Sequence, residues 1–239
     1  MIPSVSIAAA LAAAIWLPLS AEQQNSPERN SSKPPAKDDC CVLELPGFPL
    51  ASAASGVAKT IATAQHVEGN PKSPVRVLIF EDLQCPDCSV FRKALDEKLL
   101  PRYRASVAFE HRDFPLPKHT WAKEAAVAAR YFQAQDPKLA ADFRRTVQGN
   151  LSKVNSKGLR SWLIEFCRDR RLDAGQALAA LNDIKHILAV EGDFQEGVAA
   201  GIRRTPTVLV GGKSFVETID VAELQKTLDA MLESPSGSQ

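Results

Sequence analysis

An apolar run, Val75-Arg76-Val77-Leu78-Ile79-Phe80, leads into Cys85-Pro86-Asp87-Cys88, and no other stretch limits the possible folds as tightly. The run is rich in β-branched residues and follows Pro74, which predicts a buried central strand. Glu81 to Gln84 make a short loop. From about Pro86 a helix is expected: Phe91, Ala94, Leu95 and Leu99 recur at helical spacing, and Pro101 should kink or end it. A strand that runs straight into a helix puts the first cysteine at the helix N-cap or first turn. Unpaired backbone N–H groups and the helix dipole there stabilise a thiolate, lower its pKa and make it the attacking sulfur. Cys88 falls one turn on, close enough to close a disulfide. Cys85 is expected to face solvent and attack, with Cys88 deeper and resolving the mixed disulfide. Pro86 suits a first-turn site, where its missing N–H would lack a partner anyway.

Downstream, Ala105 to Glu110 reads as a second strand, and Asp113-Phe114-Pro115-Leu116-Pro117 as a rigid loop. Helical signals then dominate from Thr120 to about Gly201. Thr120 is expected to cap a helix to about Gln135. Pro137 starts another, closed by Gly149-Asn150. Trp162, Leu163, Phe166 and Cys167 give a third an apolar face. Asp173 caps a short fourth, and a last helix runs from Asp183 to about Ala200. Thr207 to Val210, a Gly211-Gly212 turn and Lys213 to Val216 predict a hairpin. Asp220 caps a final helix with Val221, Leu224, Leu228 and Leu232 on one face. The pattern is α/β with a helical block inserted, the first two strands pairing in parallel through the Pro86–Leu100 crossover.

With 239 residues, 45% apolar and 24% charged, the chain can bury a sizeable core. A net charge of +1, with no basic run interleaved with aromatics, leaves no general pull toward nucleic acid or anionic membrane. Five unevenly spaced cysteines do not make a disulfide scaffold. Residues 1–21 read as a signal peptide or a membrane anchor, with a buried N-terminal helix the remaining option. The stretch Val5 to Leu19 is apolar or small, Leu19-Ser20-Ala21 offers a cleavage region, and no Lys or Arg precedes them. Either of the first two puts the body outside the cytoplasm, in the periplasm or a comparable compartment. Residues 22–60 read as a flexible linker and 234–239 as a disordered tail.

A lone CxxC supplies two ligands where zinc usually takes four, and no second CxxC or HxxxH follows. Redox chemistry is therefore expected, with no metal and no cofactor. His66, His111 and His186 show no ligand spacing, and His119 lies beside the proline loop; all four read as structural or exposed. Cys167 reads as core. For Cys40-Cys41 a vicinal disulfide, an interchain link and an electron relay stay open. Thr205-Pro206 directly precedes a strand, where proline denies a ladder bond unless the chain turns or the bond is cis.

Three segments, Phe80 to Cys88, Arg112 to Pro117 and Gly201 to Thr207, together resemble the DsbA-like branch of the thioredoxin superfamily, over about Val67 to Glu233. The resemblance implies a thioredoxin-like fold with an inserted all-helical domain: residues 61–118 and 190–233 form the two parts of the thioredoxin-like domain, and 119–189 the insertion. It implies that Pro206 is a cis-proline facing the cysteines and that Thr205 offers backbone contacts to an extended substrate strand. The implied partners are exported client proteins with thiols or disulfides, and a membrane redox partner for recycling. Many relatives carry a buried Glu six residues before the first cysteine; here that position is Ile79. Strand alternation would put at most one of Glu81 and Asp82 inward. Strongly oxidising members have His between the cysteines, which favours the thiolate; Asp87 opposes it. A charge at ~7 Å with an effective dielectric of ~40 costs about 1 kcal/mol, near one pKa unit. Pro86 and Asp87 are thus the expected pKa-tuning residues, and a moderate oxidant is expected. A redox-inactive peptide-binding or chaperone module on the same fold is the alternative.

Overall fold

The computed structural model describes residues 66–233. The expectations for 1–21, for 22–60, for Cys40 and Cys41, and for 234–239 lie outside the described residues. Among the described residues the strands form one five-stranded sheet in the order β1-β3-β2-β4-β5. These are β1 (His66–Gly69), β2 (Arg76–Glu81), β3 (Ala108–Asp113), β4 (Thr207–Val210) and β5 (Lys213–Val216). β2 and β3 pair in parallel; β1 with β3, β2 with β4, and β4 with β5 pair antiparallel. The helical segments are α1 (Pro86–Ala94), α2 (Leu100–Tyr103), α3 (Ala122–Gln135), α4 (Pro137–Gln148), α5 (Leu151–Lys157), α6 (Leu159–Asp169), α7 (Ala174–Ala179), α8 (Ile184–Ala199) and α9 (Val221–Glu233). The order is that of a thioredoxin-like fold with helices α3 to α8 inserted between β3 and β4. No helix among the described residues is long and apolar enough to cross a membrane.

Strand alternation assigns the two faces of the sheet. Val77, Ile79, Phe109, Val208 and Val210 pack with Phe91, Leu95 and Leu99 of the crossover and with Leu224 and Leu228 of α9. On the opposite face Phe80, Leu78 and Leu209 meet Phe114, Phe194 and Ile202. There α8 crosses close to the sheet at Gly197, where a Cβ would lie 2.6 Å from the Phe114 ring. A separate aromatic core of Phe132, Phe143, Trp162 and Phe166, with fully buried Cys167, holds the inserted helices together. The β4–β5 turn has positive φ at both Gly211 (56°) and Gly212 (76°), which a type I′ hairpin turn requires.

The structure corrects several boundaries. Pro101 neither ends nor breaks the crossover. A wide π turn over Leu95–Leu99 precedes it, with Leu100 N–H reaching back to Leu95 O, and the helix resumes to Tyr103. The extra residue in that turn relieves the clash a proline ring makes with the preceding carbonyls. β3 begins at Ala108 rather than Ala105, because Ser106 N–H and Val107 N–H still bond to Tyr103 O. It extends to Asp113, and every residue in it is buried. β1 and α5 were not anticipated: both are short and largely polar, and α5 buries only Val154. Trp121, not Thr120, occupies the N-cap of α3, with its N–H held by the Gln84 side chain at 2.8 Å. Leu232 ends exposed rather than on the packed face of α9.

Candidate active site

Cys85 is the N-cap of α1, with extended backbone (φ −74°, ψ 125°), and Pro86 stands in the first turn. The buried strand β2 ends at Glu81, and four residues of loop carry the chain from its C-terminal end to the helix start. The N–H of Cys85 bonds to Asp82 O at 3.1 Å, and Ser89 N–H to Cys85 O at 3.2 Å, which fixes the cysteine between loop and helix. Cys85 and Cys88 are free thiols. Contrary to the expectation that Cys85 faces solvent, it is only 5% exposed, against 2% for Cys88. It is covered from the far side of the sheet junction, where the Thr205–Pro206 peptide is cis and Thr205 O lies 3.3 Å from Cys85 Sγ, a contact in which the protonated thiol is the donor. The Thr205 hydroxyl is also buried there.

The two thiols are held in opposite electrostatic states. A hydrogen bond from Cys88 is the largest influence on Cys85. With the Thr205 hydroxyl and the backbone N–H groups of Cys88 and Asp87, it outweighs burial and pulls the Cys85 pKa from 9.0 down to about 6. These are the unpaired donors of a helix start aimed at a thiolate. Asp87 acts on Cys85 here through its main chain, and its side chain is exposed. Burial pushes the Cys88 thiol well above its ordinary value, reinforced by Cys85 and by the charge of Glu81. The Asp82 N–H opposes this, donating to Cys88 Sγ at 3.4 Å.

Glu81 and Asp82 are both buried, which strand alternation alone did not anticipate. Alternation stops at Glu81, the last residue of β2, and the loop turns Asp82 inward as well. Glu81 accepts from Arg144 Nη1 at 3.0 Å and Gln148 Nε2 at 3.3 Å, and pairs with His111 Nδ1 at 2.9 Å. Burial opposes its ionisation, but His111 and Arg144 hold the carboxyl far below the usual range. Arg144, fully buried, also pairs with Asp113 at 2.7 Å, and Arg130 joins Asp113 to Asp193. This chain of charges links α3, α4 and α8 to the sheet beneath the cysteines. Sequence reading missed it because its members are far apart along the chain.

His66 and His111 are opposite each other in the β1–β3 ladder, and with Glu68 they bring three potential ligand atoms within 4.8 Å of one another. Such a grouping is invisible as sequence spacing, since it forms across strands. Glu68, however, already accepts from the guanidinium groups of Arg92 and Arg145. A divalent cation would add its charge to both, so the cluster works as an ion-pair network. Burial keeps His66 neutral, lowering its pKa from 6.5 to about 4. Burial also opposes charge on His111, but Glu81 and Glu68 on either side raise its pKa. His186 is likewise buried, and His119 is hydrogen-bonded to Asp82.

The family described as thioredoxin matches residues 62–230. The chain belongs to the thioredoxin family. Its fold is similar to that of BdbD from Bacillus subtilis (22% identity, TM-score 0.63, covering 70% of this chain and 92% of that one). It is similar to α-DsbA1 from Wolbachia pipientis as well (18% identity, TM-score 0.62, covering 71% and 91%). Among curated proteins it is similar to a Na(+)/H(+) antiporter NhaA 1 of Mycolicibacterium gilvum, 25% identical over 180 residues. That match covers 69% of this chain and 26% of the antiporter, so the chain spans about a quarter of the relative's length.

Proposed function

We propose that this thioredoxin-family chain is a thiol–disulfide oxidoreductase that exchanges disulfides with client proteins outside the cytoplasm. The observation that carries the reading is the split between two neighbouring thiols. Cys85 is held largely as thiolate at neutral pH and Cys88 as thiol, at a helix N-terminus facing the cis Thr205–Pro206 peptide. In client oxidation a client thiolate attacks Cys85, Cys88 leaves as thiol, and the client's second thiol then expels Cys85; in the opposite direction Cys85 attacks and Cys88 resolves the mixed disulfide. Thr205 and Pro206 present the backbone edge on which an extended client strand lies. The couple acts as a moderate rather than strong oxidant: the residue between Pro86 and Cys88 is an acid, which disfavours the thiolate that drives strong oxidation. Recycling then falls to a membrane redox partner, and the N-terminal segment supplies export or tethering.

The test is oxidative refolding of a reduced client protein with catalytic amounts of the chain, alongside Cys85→Ala and Cys88→Ala. Wild type should speed disulfide formation. Cys85→Ala should be inert, and Cys88→Ala should accumulate mixed disulfides. Full client-folding activity in Cys85→Ala would instead identify a redox-inactive peptide-binding module.

A further inference from the structure

The side chain that organises the active-site loop is Asp82, and its position is set from outside the loop. Asp82 is completely buried, and its carboxylate takes three donors. Gln84 N–H donates to Oδ1 at 2.7 Å. Leu116 N–H and His119 Nδ1 both approach Oδ2 at 2.7 Å. Because a carboxylate oxygen already taking a backbone N–H acts as acceptor, the His119 contact requires the proton on Nδ1. The same residue's main chain meets both cysteines: its C=O accepts from Cys85 N–H, and its N–H donates to Cys88 Sγ. The side chain of Asp82 is therefore clamped to the Phe114–His119 loop while its backbone amide rests on the resolving sulfur. His119 keeps 15% of its side chain exposed.

We propose that His119 is a positioning residue: by donating to Asp82 it holds the Asp82 N–H on Cys88 Sγ, where negative charge develops during resolution. The inference rests on the exchange activity proposed above. In that step Cys88 gives its proton to solvent, and its sulfur forms a bond to Cys85 Sγ. The Cys85–client bond breaks, and the electron pair leaves on the client sulfur, which takes a proton from solvent. Cys85 stays at the disulfide level throughout: Cys88 is oxidised, the client sulfur is reduced, and the two electrons pass between them with no external donor. A buried sulfur acquiring charge depends on each fixed donor aimed at it. The neighbouring amide is useful only if the loop cannot drift, and loss of the His119 donor frees one of the three ties on Asp82.

The experiment follows the reduced full chain reacting with glutathione disulfide, by rapid acid quench and mass spectrometry, so that Cys85 attack and Cys88 resolution are timed separately. His119→Ala should slow resolution about tenfold, the loss of one hydrogen bond near a developing charge, while leaving Cys85 attack and its alkylation midpoint unchanged. His119→Asn, whose amide N–H can take the place of Nδ1–H, should restore resolution to within about twofold. Equal slowing of both steps, unchanged resolution in His119→Ala, or no rescue by Asn overturns the proposal. If His119→Ala does not fold, the wild-type imidazole 15N signals decide. Nδ1 should be protonated and should shift between the oxidised and reduced forms; an unprotonated or unresponsive Nδ1 overturns it. A wild type that never forms or resolves the glutathione adduct would instead refute the oxidoreductase reading.

Discussion

The opposed states of Cys85 and Cys88 can be tested by the pH dependence of Cys85 alkylation, in wild type and in Cys88→Ala. At about 6, against 9.0 for an ordinary thiol, about nine-tenths of Cys85 is thiolate at pH 7, where the ordinary thiol is about one per cent ionised. That roughly 90-fold advantage is largely offset, because a less basic thiolate is a poorer nucleophile. With a Brønsted coefficient of ~0.4–0.5, three units of acidity cost about 16- to 32-fold in intrinsic reactivity. The net gain at pH 7 is only about three- to sixfold, too small to identify the site. At pH 5 the ionised fractions are about 9% and about 0.01%, so the net gain rises to about 30- to 60-fold. The midpoint of the profile, rather than the rate at one pH, is therefore the decisive readout. Iodoacetamide labelling from pH 4 to 10, followed by mass spectrometry at Cys85, should give a midpoint near 6 in wild type. Cys88→Ala removes the largest favourable contact and should move the midpoint upward toward 9, whereas Cys88→Ser keeps a donor and should move it less. A wild-type midpoint above 8, or one unmoved by Cys88→Ala, refutes the assignment of Cys88 as the principal stabiliser.

Arg144→Met leaves Glu81 and Asp113 ionised without their shared partner, and should cost about 3–5 kcal/mol. For a chain of this size that is a fall of about 6–20 °C in Tm by calorimetry; a fall under 2 °C would sink the network as a structural link. Glu68, Glu81 and Asp113 have folded pKa values below their unfolded ones, so their contribution is present above about pH 4–4.5 and lost as pH falls further. Between about pH 4 and 6.5 two buried groups oppose each other. His66, lowered to about 4, loses stability as pH falls, and Asp193, raised to about 6 by burial, loses it as pH rises. Urea midpoints should therefore vary little from pH 6.5 to 4.5 and drop steeply below 4; a steady decline beginning at pH 6.5 would show that the Asp193 contribution is absent. Asp87→His exchanges an exposed acid for a base beside the thiolate. It should lower the Cys85 alkylation midpoint and raise the reduction potential against glutathione, and an unchanged or lowered potential would contradict the charge argument.

The parts of the fold that were legible from sequence are those governed by apolar periodicity and local punctuation. β2, α1, the Gly211-Gly212 hairpin and the caps Asp173 and Asp183 lie where those signals put them. The parts that were not legible are governed by paired charge. β3 carries Glu110, His111, Arg112 and Asp113 at buried positions, so polarity hid its true extent. β1 is four residues long and shows its character only when His66 and Glu68 meet partners from β3, α1 and α4. The cysteines were legible because strand-to-helix geometry acts locally, whereas the cover over Cys85 comes from Thr205, 120 residues away.

The same distinction bears on the missing acid at Ile79. That residue is fully buried among Val77, Phe91 and Val208, and stands opposite His111 in the β2–β3 ladder. The charge felt by Cys88 comes from Glu81 instead. A lone buried carboxyl has its pKa raised toward neutrality and can exchange a proton with a thiol. Glu81 is tied to Arg144 and His111 and stays ionised across the working range, so it has no affinity for that proton at neutral pH. It acts as a fixed negative charge that favours the protonated Cys88 thiol. A lone buried carboxyl and the paired Glu81 thus differ in kind: the first can trade a proton with a thiol, the second only sets the field in which the couple titrates.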